Sequence, residues 1–129
     1  MKGLITIAAM LMLISCGSTP SKKQAETIAD DVTQVLYFHG KQRCITCNAI
    51  EKLTKEVVDS LASEKVVMKV IDITKDEVTA DKYEVTWSSL ILDRGGKVEN
   101  LTEMGFGYAK NQPQVFKAKL IEALTKITE

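Results

Sequence analysis

The stretch spanning residues 37–53, "YFHGKQRCITCNAIEKL", constrains this chain more than any other. It joins a strand-like run to a helix-like run through a short turn, and it places Cys44 and Cys47 at the junction. Upstream, residues 32–38 ("VTQVLYF") are β-branched and aromatic, the composition of a buried strand. Downstream, Ile50, Leu53, Val57 and Leu61 recur at three- and four-residue spacing. That stripe predicts an amphipathic helix over 44–63, with Glu51, Lys52, Lys55, Glu56 and Asp59 on its wet side. Both cysteines therefore fall near the N-terminus of a helix that follows a buried strand.

The remaining pattern extends this unit. Residues 66–73 ("VVMKVIDI") read as a second strand, and a strand–helix–strand crossover is parallel and right-handed. "TKDEVTADKYEV" is a polar turn with a short helix, for which Thr74 or Asp76 is the expected cap. Residues 89–92 ("SLIL") read as a third strand, 93–96 as a hairpin turn, and 97–104 as an antiparallel fourth strand. "GFGYAKNQP" is expected to be a loop. Residues 114–127 form a closing helix, with Phe116, Leu120, Ile121, Leu124 and Ile127 on its apolar face. The expected class is α/β, a central mixed four-stranded sheet flanked by helices.

The first residues read differently. Lys2 is a minimal positive region, and residues 3–14 are an apolar run too short for a comfortable permanent span, the pattern of a secretory signal. The run ends in Leu13-Ile14-Ser15-Cys16, which resembles the lipobox of bacterial lipoproteins. The resemblance implies that Cys16 is lipidated and becomes the mature N-terminus. Several acyl chains on one residue anchor stably, whereas one chain is marginal. The expected organisation is a signal peptide over 1–15, the lipidated cysteine and a polar tether over 16–30, and one folded domain over 31–129. The expected location is the bacterial cell envelope, on the periplasmic or extracytoplasmic face of a membrane. Lysine plus arginine and aspartate plus glutamate each total 17. A net charge of zero carries no polyanion-binding footprint, so nucleic acid is not an expected partner.

With Cys16 assigned to the anchor, Cys44 and Cys47 are the two cysteines left, in a compartment that permits disulfides. A purely structural staple explains little, because so short a loop gains roughly 2 kcal/mol against about 3 kcal/mol for fifteen residues. A protein-only zinc site wants four ligands. Cys44, Cys47 and the single histidine, His39, offer three, enough for a soft ion such as Cu(I) or for zinc with an outside ligand. A redox dithiol needs a stabilised thiolate and a partner close enough to close a ring. Unpaired N–H groups and the macrodipole at a helix N-terminus lower a thiol pKa. Lys41 and Arg43 add nearby positive charge.

On "YFHGKQRCITC" and the element order, the domain resembles the thioredoxin superfamily. The resemblance implies a thiol–disulfide oxidoreductase with Cys44 as attacking nucleophile and Cys47 as resolving thiol. It implies protein thiols or disulfides as substrates, an electron partner it does not name, no cofactor, and a monomer. The family's WCGPC centre is here Arg43-Cys44-Ile45-Thr46-Cys47. The family's buried acid on the first strand is missing, leaving solvent, His39 or Tyr37 as proton routes. The usual cis-proline aligns with Ser88 or Ser89, beside Trp87. A cis non-proline bond costs about 3–4 kcal/mol, so a trans bond is expected. Trp87 is expected near the thiols, and His39, Trp87 and Ser88 form the expected outer shell of the site. A metal-binding lipoprotein using Cys44, Cys47 and His39, or a redox-inactive adaptor, remains the alternative.

Overall fold

The computed structural model describes residues 29–129, so the signal-peptide and lipobox expectations, Cys16 included, lie outside the described residues. The elements run β1 (Thr33–His39), α1 (Ile45–Leu61), β2 (Val66–Asp72), α2 (Glu77–Lys82), β3 (Ser89–Arg94), β4 (Lys97–Asn100), α3 (Thr102–Tyr108) and α4 (Pro113–Lys126). The sheet order is β2-β1-β3-β4. β1 and β2 are parallel, and the other two pairings are antiparallel. This is the mixed four-stranded sheet flanked by helices that the pattern predicts.

β1 is central because its whole middle is apolar. Val35, Leu36, Tyr37 and Phe38 are all essentially inaccessible. A strand covered on both faces reads as a continuous hydrophobic run, whereas a strand with one wet face alternates. Alternation then sorts its side chains. Val35 and Tyr37 point to one face, where Leu90 and Leu92 join Ile50, Leu53 and Val57 of α1 and Phe116, Leu120 and Leu124 of α4. Leu36 and Phe38 point to the other, with Ile71, Val85 and Ile91, and with Tyr83 packed alongside. Tyr83 and Val85, which follow the short α2, pack on that second face. A cleft of about 800 Å³ there is lined by Leu36, Ile71 and Tyr83 among others, and neither cysteine lines it.

Two expectations are corrected. Residues 97–104 are not one strand, and "GFGY" is not loop. The chain leaves the sheet after Asn100 and forms α3. Asn100 Oδ1 accepts the Thr102 N–H at 2.9 Å, and Thr102 Oγ1 accepts the Leu90 N–H at 3.1 Å, so side chains finish the ladder where the backbone turns away. Ile121 also leaves the apolar face of α4. It is 41% exposed, and Ala123 is buried instead. At 3.6 residues per turn, Phe116, Leu120, Ala123, Leu124 and Ile127 share one stripe, and Ile121 sits well off it.

Candidate active site

β1 delivers the site and α1 presents it. After His39 the chain makes a short turn, and α1 begins at Ile45 with Cys44 as its N-cap. Cys44 has extended backbone angles, φ −78° and ψ 167°, and its Sγ accepts the Cys47 N–H at 3.1 Å. A sulfur thus takes the place that a serine or aspartate oxygen usually fills at a helix start. No acidic side chain lies in the first turn of α1 to compete for the positive end of the helix. Cys44 is exposed, and Cys47, one turn further in, is 5% exposed. The two are joined as a disulfide with a Cα–Cα distance of 5.0 Å. That separation lies within the ordinary range for a disulfide, so the ring closes at the start of the helix.

Beneath the ring lies Tyr37. Its ring is fully buried, and its hydroxyl donates to the Cys47 carbonyl at 2.9 Å. Burial pushes the phenol pKa up, and the charge of Glu51 pushes it further in the same direction. Arg43 and a hydrogen bond with Ser88 pull it partly back. The phenol is thus tied directly to the backbone of the second cysteine. Arg43 and Glu51 are themselves ion-paired through Nη1 and Oε2 at the solvent-accessible surface. His39 stacks on the Tyr37 ring at 6.3 Å between centroids, and its Nδ1 lies 3.0 Å from the Gly40 carbonyl.

This layout can be compared with solved structures. No family model matches the chain, and no curated protein matches it by sequence. Thioredoxin from Fasciola hepatica matches with a TM-score of 0.53 and 20% identity, over 74% of this chain and 81% of that one. Trxlp from Edwardsiella tarda EIB202 matches with a TM-score of 0.53 and 14% identity, over 70% and 82%. Human ERp44 matches with a TM-score of 0.54 and 17% identity, over 78% of this chain and 29% of that much longer one. The chain has the thioredoxin fold.

Within the thioredoxin fold, the sequence-predicted residues separate into groups. Arg43, Cys44 and Cys47 lie at the N-terminal end of α1, and Ser88 directly precedes β3. Lys41 is exposed in the turn before the helix. No cis peptide bond occurs among the described residues, so the bonds flanking Ser88 are trans. Trp87 is 59% exposed, and its ring stacks on Phe106 of α3 at 5.4 Å between centroids. His39 reaches the site only through the Tyr37 ring. Among the described residues, no three His, Cys, Asp or Glu side chains come together as a metal ligand set. Glu51, expected on the wet side of α1, also ion-pairs with Arg43, a partner that its residue type and helical position alone did not give it.

Proposed function

We propose that this protein is an exported, lipid-anchored thiol–disulfide oxidoreductase of the thioredoxin superfamily, acting through Cys44 and Cys47. The observation that carries the reading is the asymmetric pair at the start of α1, an exposed Cys44 capping the helix and a buried Cys47 one turn in. The exposed sulfur sits where helix N–H groups stabilise a thiolate, and the buried one sits where it can reach back. In the reductive direction, the Cys44 thiolate attacks one sulfur of a substrate disulfide. The substrate S–S bond breaks, one substrate sulfur leaves as a thiolate and takes up a proton, and a mixed disulfide forms. Cys47 loses its proton and attacks the Cys44 sulfur. The internal S–S bond forms, the second substrate sulfur leaves as a thiol, and two electrons have passed to the substrate. The reverse sequence oxidises a substrate dithiol. Export and the anchor rest on residues 2–16, whose charge, apolar run and terminal Leu-Ile-Ser-Cys support both.

The test is insulin reduction by the pre-reduced protein with dithiothreitol as electron source. Wild type should turn over, and Cys44→Ser should fall to background. With dithiothreitol removed after pre-reduction, Cys47→Ser should stop after one event and keep a mixed disulfide that runs as a larger species on a non-reducing gel. Turnover that survives Cys47→Ser unchanged sinks the dithiol mechanism.

A further inference from the structure

The same site contains a charge arrangement that the expected roles of its residues do not account for. Arg43 immediately precedes Cys44, and a cation there favours the Cys44 thiolate. In the structure its guanidinium is bound to the Glu51 carboxylate, eight residues further along. Glu51 stands six residues past Ile45, the first residue of α1, and helical side chains lean toward the N-terminus, so its carboxylate reaches back to Arg43. The pair is solvent-accessible, with side-chain exposures of 34% and 27%. Both charges act on the Tyr37 phenol, which is bonded to the Cys47 carbonyl. The ion pair thus involves the residue that adjoins Cys44 in the chain.

Resting on the redox reading above, we propose that Glu51 is a positioning residue that sets the poise of the Cys44–Cys47 couple by holding Arg43 away from the Cys44 sulfur. An unpaired guanidinium beside Cys44 stabilises the thiolate, hence the reduced form, and makes the couple more oxidising. Binding that guanidinium to a carboxylate withdraws this stabilisation and favours the disulfide. The dithiol then gives up its electrons more readily, so Glu51 biases the protein towards donating electrons to substrate disulfides. No atom of Glu51 takes part in the exchange. It acts only through the placement and charge of Arg43.

The experiment equilibrates the full-length protein with graded mixtures of reduced and oxidised glutathione and counts the dithiol fraction by alkylation. Thiolate absorbance near 240 nm against pH, on the reduced protein, is the second readout. Glu51→Gln keeps the size of the side chain and removes its charge. It should shift the equilibrium towards the dithiol by about three- to tenfold, the larger figure being about 30 mV for a two-electron couple. It should also lower the Cys44 thiol pKa. Arg43→Gln should shift both readouts the opposite way. In the Arg43→Gln background, adding Glu51→Gln should move the equilibrium by less than half the factor it gives alone. An unchanged or reversed equilibrium in Glu51→Gln overturns the proposal. So does an equal factor in both backgrounds, because Glu51 would then act without Arg43. These readouts need no protein substrate. Failure to reduce insulin with a normal Glu51→Gln shift would defeat the functional reading and leave this inference standing.

Discussion

At the scale of single residues, Tyr37 links sheet, helix and site. It occupies the middle of the most buried strand, yet it carries a hydroxyl, and the Cys47 carbonyl satisfies that hydroxyl. Tyr37→Phe should cost about 0.5–1.5 kcal/mol, the net worth of one buried hydrogen bond, because the ring packing is kept. The pH dependence has a definite sign. The phenol pKa is raised in the folded state, by burial first and by Glu51 second. Its contribution to stability is therefore complete below the unfolded phenol value, about 10, and is lost as pH rises above it. Tyr83 works in the same sense, raised by burial and by its hydrogen bond to Asp93. Urea unfolding at pH 8 and pH 10.5 should show wild type losing stability at the higher pH. Tyr37→Phe should lose less, and an unaltered loss in the variant would contradict the assignment. Residue type and spacing made the cysteines, Arg43 and the Asp76 cap legible in the sequence; Asp76 Oδ1 does accept the Thr79 N–H at 3.0 Å. Glu51 was not legible as a site residue. A carboxylate among lysines on a helix looks solvated until the turn before the helix brings Arg43 over it.

At the scale of elements, β1, α1, β2, β3 and α4 follow from the apolar pattern of their own sequences, and the turn residues 93–96 mark the hairpin into β4. α3 does not. "TEMGFGY" contains two glycines in seven residues, each costing about 1 kcal/mol against alanine in a helix. Local propensity argues against the element, and tertiary contacts decide. Gly105 lets α3 lie directly on α1: a Cβ there would meet Ile50 Cδ1 at 3.2 Å and Cγ1 at 3.4 Å. Phe106 stacks on Trp87 from the neighbouring loop. Gly107 is different, since a Cβ on it meets nothing within 4 Å. Gly107→Ala should raise stability by about 0.5–1 kcal/mol through helix propensity alone. Gly105→Ala gains the same propensity but must push against Ile50, which is 1% exposed in the main core. It should fall below wild type by about 1 kcal/mol. Thermal unfolding of the two variants separates them by sign. Equal gains from both would show that α3 does not depend on close approach to α1.

At the scale of the whole molecule, two attachments govern where the dithiol can work: the fold that presents it and the N-terminus that is proposed to tether it. Among the described residues, no helix is long and apolar enough to cross a membrane. The largest exposed apolar side chains, Ile45, Val78 and Trp87, lie on three separate segments and do not make one long apolar stripe. Membrane residence on the proposed reading rests on Cys16 and its acyl chains. A single chain binds a bilayer only marginally, so the reading requires more than one. Two outcomes follow for the full-length protein expressed in a bacterium. Mass spectrometry of the membrane fraction should find residues 1–15 removed and the N-terminal peptide beginning at an acylated Cys16. Labelling with an alkyne fatty acid should be strong in wild type and absent in Cys16→Ser. The Cys16 substitution lies far in sequence from Cys44 and Cys47, so the purified Cys16→Ser protein should keep the wild-type glutathione equilibrium. Recovery of an unacylated N-terminus from the membrane fraction, with no fatty-acid label, would remove the anchor from the proposal and leave the dithiol chemistry intact.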